Sequence, residues 1–289
     1  MEGLPRLIEE RTGRAPRQWR EEPVGGGCIH QARHLRTDRG DFFLKRAPLR
    51  DRESLTREAE GLRALAATGT VRVPEVIGCL TQGETALLLL EWIDLQPLDD
   101  RSGAALGEAL AALHSTRTHP THGAERDNFI GSTPQSNRPH AVWADFFIGE
   151  RLRPQWERAQ KAGFPLPKMA PFLADARALL SDHDPSPAPL HGDLWGGNAA
   201  ADSDHRPVVF DPAYYRGDPE TDLAWTKVFG GFPASFYHAY ERCLPPSPGR
   251  ESREPLYNLY HMLNHLNLFG RSYLPAVEEG VRSVRAAAR

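Results

Sequence analysis

The sequence predicts an α+β fold in two parts: a small antiparallel sheet carrying one helix, then a larger, mainly helical region. Three observations point there. Two pairs of extended runs flank tight-turn residues before position 93, one amphipathic helix lies between the pairs, and helical periodicity dominates after position 98. With 289 residues, 40% apolar and 25% charged, the chain has ample material for a core, which excludes disordered and fibrous classes.

The elements follow in order. Residues 21–24 read as a short extended run that Gly25-Gly26-Gly27-Cys28 breaks. Residues 31–37 and 41–45 flank Asp38-Arg39-Gly40, a hairpin signal. Residues 51–68 read as a helix, with Leu55, Leu62 and Leu65 on one face and Ala59 beside it. Two apolar runs, 73–80 and 85–93, flank Thr81-Gln82-Gly83-Glu84, a second hairpin. Asp94-Leu95-Gln96-Pro97 then ends the pattern. The expected division is therefore an N-terminal lobe over 1–93, a hinge over 94–97 and a helical lobe over 98–289. Within the latter, helices are expected over 105–114, 143–163, 171–182, 218–229, 236–243, 253–269 and 275–288, and a short strand over 208–210.

Composition narrows the function. The net charge of −3 argues against a nucleic-acid binder. Three cysteines without CxxC spacing argue against a disulfide scaffold or a zinc knuckle and fit a reducing compartment. The charged N-terminus has no apolar signal-like run, and the longest apolar stretch, 86–90, is too short for a bilayer. The expectation is a cytoplasmic protein without a membrane partner. Lysine is scarce: only Lys45, Lys161, Lys168 and Lys227 occur.

The strongest signal is Leu190-His191-Gly192-Asp193-Leu194-Trp195-Gly196-Gly197-Asn198. Asp193 and Asn198 are five apart, and Asp211 follows thirteen residues after Asn198 at the end of a short strand. This is the layout of a kinase catalytic loop and its metal-binding aspartate. One aspartate orients and deprotonates the attacking hydroxyl, while the asparagine and the second aspartate hold Mg²⁺ on the phosphates of ATP. Hard oxygen donors suit that ion. Read singly, each piece is an ordinary turn; the spacing behind an N-terminal sheet is what gives them meaning.

The glycines 25–27 would let backbone amides approach phosphates; the alternative is an ordinary hairpin turn, and the position before the Lys45 strand favours the phosphate reading. Lys45 ends its strand where a kinase holds the α- and β-phosphates and pairs a glutamate on the next helix. Of Glu58 and Glu60, helical geometry puts Glu58 on the face of Leu55, Leu62 and Leu65, where a carboxylate needs a partner. Glu91 and Ile93 mark the strand end that meets the hinge, where adenine reads backbone groups. His261 and His265 are four apart on a helix, as zinc ligands can be, but Met262 stands where a metalloprotease carries its glutamate. Residues 218–222 read as a helix N-cap with acidic charge in the first turn. His191 reads as a structural hydrogen-bonding residue rather than a base.

These motifs resemble the fructosamine-3-kinase and ketosamine-3-kinase family. The resemblance rests on His191–Asn198 (HGDLWGGN), 211–222 (DPAYYRGDPETD), Phe229-Gly230-Gly231-Phe232, 127–131 with Gln135 and Asn137, 143–151 (WADFFIGER) and 264–270 (NHLNLFG), and it spans residues 25–273. It implies a two-lobed, protein-kinase-like fold and ATP–Mg²⁺ chemistry on the 3-hydroxyl of a ketosamine, free or protein-bound, as a deglycation repair. It implies Asp193 as base, Asn198 and Asp211 on the metal, and Lys45 paired with Glu58. Trp195 and His265 are the expected acceptor contacts. Gly197 departs from the serine usual in that family. A same-fold alternative is an aminoglycoside or other small-molecule kinase; a different one is an inactive kinase-like scaffold, against which the intact motif residues argue. Family members often carry cysteine at position 28, which makes Cys28 a redox candidate. Cys79 is expected to be buried in a strand and Cys243 lies in the other lobe, so oxidation would link two otherwise monomeric chains through Cys28.

Overall fold

A computed structural model describes residues 3–25, 30–117 and 119–289. The chain opens with helix α1 (Gly3–Thr12), which the sequence reading missed. Only Leu4, Leu7 and Ile8 mark its apolar stripe, and their burial needs a partner far along the chain. That partner is the five-stranded antiparallel sheet of β1 (Trp19–Pro23), β2 (Gln31–Thr37), β3 (Gly40–Pro48), β4 (Val76–Gln82) and β5 (Thr85–Glu91), in the order β1-β2-β3-β5-β4. Leu7 packs so close that a Cβ on Gly78 of β4 would lie 2.8 Å from it.

Both expected hairpins form. Thr37 pairs with Gly40, whose φ of +116° favours glycine. Gln82 pairs with Thr85 across a two-residue turn led by Gly83 at φ +57°. Strand β5 is buried on both faces, which explains its unbroken leucines. Ala86, Leu88 and Leu90 face the expected helix, here α2 (Arg52–Ala67), with its Leu55, Ala59, Leu62 and Leu65. Leu87 and Leu89 face Leu4, Ile8, Leu35 and Leu44 on the α1 side. Each such leucine contributes ~2 kcal/mol on burial. Cys79 corrects an expectation: it lies in a strand but is exposed, because β4 is the sheet edge and no strand covers it.

The linker is tethered rather than loose. Gln96 pairs with Ala201 through both backbone groups, and its Nε2 donates to the Asp202 carbonyl at 2.7 Å. The Trp92 indole stacks on His34 with centroids 3.4 Å apart and donates to Asp94 at 2.8 Å.

Helix α3 (Asp100–Ser115) starts five residues before its periodicity, at an Asp99–Ser102 capping box. A short hairpin, β6 (Asn128–Ile130) and β7 (Thr133–Gln135), follows. The helix expected over 143–163 is three pieces: α4 (Trp143–Phe146), a π-helical turn over Phe147–Leu152, and α5 (Arg153–Lys161). Pro154 has no N–H for the Glu150 carbonyl, and the buried Arg151 guanidinium donates to that oxygen instead. Helix α6 (Met169–Leu180) leads to β8 (Ala188–Leu190), β9 (Ala199–Ala201), β10 (Pro207–Val209) and β11 (Tyr215–Gly217). These pair as β8 with β11 and β9 with β10, and β8 and β9 bracket the loop of residues 191–198. Helices α7 (Pro219–Thr226), α8 (Ala234–Cys243), α9 (Arg250–Phe269) and α10 (Leu274–Ala287) finish the chain. Helix α7 stops short of the expected 229 because Phe229, Gly230 and Gly231 all take positive φ. Among the described residues no helix is long and apolar enough to cross a membrane.

Candidate active site

The loop between β8 and β9 is held from below by a residue the sequence reading set aside as a cap. Asp218 does cap α7, accepting from the Glu220 amide at 3.0 Å. Asp222, one turn on, is buried. Its Oδ2 accepts the His191 amide and its Oδ1 the Gly192 amide, both at 2.8 Å, and His114 Nε2 lies 3.2 Å from Oδ2. Burial opposes its charge, but His114, His191 and the Gly192 amide outweigh that and hold its carboxyl below the usual carboxylate range. Gly192 must be glycine: its φ is +82° and a Cβ would sit 2.1 Å from the Ala213 carbonyl oxygen.

His191 has the structural role expected of it. Its Nε2 faces the Phe210 carbonyl at 2.9 Å, so that nitrogen carries the proton, and Nδ1 accepts the Asp193 amide at 3.3 Å. It thereby ties Asp193 to the end of β10.

Asp193 is half-buried between two donors. Trp225 Nε1 donates to its Oδ1 at 2.9 Å, and Asn198 Nδ2 donates to its Oδ2 at 3.2 Å and to its carbonyl at 2.8 Å. Burial pushes its pKa up to about 7, against the Trp225 hydrogen bond, and the nearby Asp211 adds to the rise. With both Nδ2 contacts made to Asp193, Asn198 keeps its Oδ1 for another partner. Asp211, a non-glycine residue at φ +57°, faces Lys45 with one carboxylate oxygen at 2.5 Å. Lys45 Nζ also lies 2.8 Å from Glu58, so the helix-face argument selected the right glutamate; Glu60 instead pairs Arg57 at 2.6 Å. Burial opposes the Lys45 charge, but Asp211 and Glu58 hold it as an ammonium, its pKa above the ordinary value.

Lys45, Glu58, Asp193, Trp195, Asn198 and Asp211 all line one cleft. His265, Leu268 and Phe269 of α9 close one end of it, and the β6–β7 hairpin closes another side with Phe129 and Gly131. The Trp195 ring meets Phe229 edge to face at 5.6 Å. His265 Nδ1 donates to the His261 carbonyl at 2.9 Å, which leaves its Nε2 as an acceptor. The His261 ring stacks on Trp225 at 4.2 Å, and burial keeps it neutral, its pKa well below the ordinary value.

Other expected residues lie elsewhere. Glu91 and Ile93 do not line this cleft. The Glu91 carboxylate is taken by Arg72 at 3.0 Å and the Glu75 amide at 3.1 Å, and its own amide donates to the Glu75 carbonyl. Gly25 follows β1, while Gly26, Gly27 and Cys28 lie outside the described residues. The sequence reading missed Asp222, Trp225 and the hairpin. Asn128, Gln135 and Asn137 tie that hairpin together, with Asn128 Oδ1 accepting from both other side chains at 2.8 and 2.9 Å.

The sequence matches the family described as fructosamine kinase over residues 1–286. It is 42% identical over 270 residues to the "Probable ketoamine kinase" of Synechocystis sp., covering 93% of this chain and 92% of that one. The chain belongs to the fructosamine kinase family. The structure of a "Putative fructosamine-3-kinase" from Haemophilus somnus superposes with a TM-score of 0.92 at 26% identity, covering 97% of this chain and 96% of that one. A thermostable aminoglycoside phosphotransferase, in complex with AMP-PNP and hygromycin B, shares the fold at a TM-score of 0.59 and 17% identity, covering 98% and 99% of the two chains. The two-lobed, kinase-like α+β architecture is therefore that of the fructosamine kinases, and this member is a phosphotransferase.

Proposed function

We propose that this kinase transfers the γ-phosphoryl group of ATP to the 3-hydroxyl of a ketosamine, with Asp193 as the general base. The observation that carries the reading is the convergence of Asp193, Asn198, Asp211 and the Lys45–Glu58 pair on one cleft in a chain of the fructosamine kinase family.

The donor set fits Mg²⁺: the Asn198 Oδ1 and an Asp211 carboxylate oxygen are hard, uncharged or anionic oxygens in one cleft. When bound, the ion would neutralise charge on the phosphates. Lys45, fixed by Glu58, holds its ammonium toward the same cleft. Asp193 accepts the proton of the acceptor hydroxyl as the O–P bond forms. A pKa near 7 suits that task, since a base poised near the working pH combines availability with driving force. Trp225 and Asn198 fix its carboxylate plane, and Asp222 and His191 fix its backbone. Trp195 offers a flat face to the C–H face of the sugar, and His265 Nε2 accepts from a sugar hydroxyl. A phosphate on C3 can leave once the adduct enolises at C1–C2, and breakdown of the adduct then frees the amine; the reaction thus begins a deglycation without cutting the C–N bond.

The test is ATP consumption across ribulosamine, erythrulosamine and fructosamine adducts, with aminoglycosides as comparison. The reading expects kcat/KM at least ~10²-fold higher for the best ketosamine than for any aminoglycoside, as several kcal/mol of differential transition-state binding would give. The reverse order overturns it.

A further inference from the structure

Gly197 has a role that its backbone does not explain. Its φ lies outside the left-handed region, so an L-residue fits the main chain there. Yet a Cβ at 197 would lie 2.3 Å from Cη2 and Cζ2 of Trp195 and 2.8 Å from its Cε2. No real Cβ tolerates such an approach. The neighbouring Gly196 differs, with nothing within 4 Å of a Cβ. All three of the nearest atoms at 197 belong to the indole and none to the backbone. The space left by the missing side chain is therefore taken by one group, the six-membered ring of Trp195.

That ring has limited freedom on its other sides. Phe229 stands against it edge to face, half exposed and itself at φ +55°. His265 in turn contacts Phe229, Trp225 and Phe269, with centroids 5.7, 5.4 and 5.4 Å away. Trp195, His265 and Phe269 line the cleft that holds Asp193. A side chain at 197 would displace the indole, and the displaced ring would change the shape of this aromatic end while leaving Lys45, Glu58 and Asp211 in place.

We propose that Gly197 is a specificity-determining position that acts through Trp195. By leaving the loop bare it lets the indole lie against residues 195–197, and this sets the width of the end of the cleft that receives the acceptor. It is a positioning residue, and the proposal rests on the reading that the acceptor sugar lies on Trp195. The class of acceptor that benefits has a broad apolar or C–H face beyond the reacting hydroxyl, able to lie along Trp195 toward Phe229 and Phe269. A slimmer acceptor gains nothing from the arrangement.

A double-mutant cycle tests it, with Gly197→Ala, Trp195→Ala and the pair assayed for KM of ATP and KM of the best ketosamine. Gly197→Ala is expected to raise the ketosamine KM five-fold or more and to leave the ATP KM within two-fold. In the Trp195→Ala background the same change should alter the ketosamine KM by less than two-fold, because the indole it collides with is gone. Equal effects in both backgrounds, a parallel rise in both KM values, or no effect in the parent overturns the proposal. If the parent phosphorylates no ketosamine, the functional reading fails separately. The indole is then followed by acrylamide quenching of the emission that Trp195→Phe removes. That emission should become more quenchable in Gly197→Ala, and unchanged quenching overturns the proposal.

Discussion

Replacing Asp222 with asparagine separates two readings of one residue. As a first-turn acidic group it would interact with the α7 dipole, a contribution of ~0.3–1 kcal/mol. The structure gives it more. It is 2% exposed, and its two oxygens take the amides of His191 and Gly192 at 2.8 Å each, with His114 at 3.2 Å. Asparagine keeps the shape but turns an NH₂ group toward one of those amides. One buried N–H then has no acceptor and faces a donor, and the charge assistance to the other contacts is lost. An unsatisfied buried donor costs ~1–3 kcal/mol and charge-assisted bonds are about twice as strong as neutral ones. The expected destabilisation is ~2–4 kcal/mol. Because His191 and Gly192 directly precede Asp193, the loop shift should also lower kcat by ~10²-fold, the scale of a misplacement of about 1 Å. Urea unfolding and steady-state kinetics on the same preparation read both. A loss under ~1 kcal/mol with kcat within three-fold of the parent would refute the anchoring role and restore the simple cap.

Three further outcomes are expected. Asp193→Ala should lower kcat by at least ~10² while leaving ATP affinity, measured by nucleotide titration, within a few-fold; near-parent turnover would contradict its place as base. Gly61 of α2 lies so near the far side of the site that a Cβ would sit 3.1 Å from Tyr214 Cβ and 3.3 Å from Pro212 Cγ, so Gly61→Val should lever α2 away from Lys45 and raise the ATP KM by ~10-fold, whereas an unchanged KM would show that the Glu58 position does not depend on this contact. Burial holds His122 neutral with its pKa down to about 4, against the pull of Asp218 and Asp184 and with the help of His140. A depressed folded pKa means stability that is whole above pH 6.5 and is lost as pH falls toward 4, up to ~3 kcal/mol from this group. The urea midpoint should fall between pH 7 and pH 5, and less steeply in His122→Gln; parallel curves would exclude His122 as the cause.

What the sequence revealed, and what it hid, follows from the range of the interactions. The loop motif was legible because Asp193, Asn198 and Asp211 act through short, fixed spacings. Glu58 was legible because a carboxylate on a leucine face demands a cation, and Lys45 was the cation at hand. Asp222 was hidden because its partners lie 30 and 31 residues upstream and a local explanation, capping, already accounted for an acidic residue there. Trp225 reaches Asp193 from helix α7 and His261 of α9 stacks on Trp225, and no local pattern marks such contacts. Cys79 misled because an apolar run shows that a strand exists but not that it lies at an edge. The π-helical turn left no periodic trace; Pro154 was its one visible sign. No local pattern shows why a glycine stands at 197; that needs the position of the Trp195 ring.

The central claim is the site of phosphorylation, and ³¹P NMR of the product tests it most directly. A ketosamine incubated with ATP, Mg²⁺ and the protein should give one new phosphomonoester per ADP, coupled to the proton on C3, and the signal should be missing with Asp193→Ala. A phosphate on any other carbon, or the same ester formed by that variant, would contradict the account.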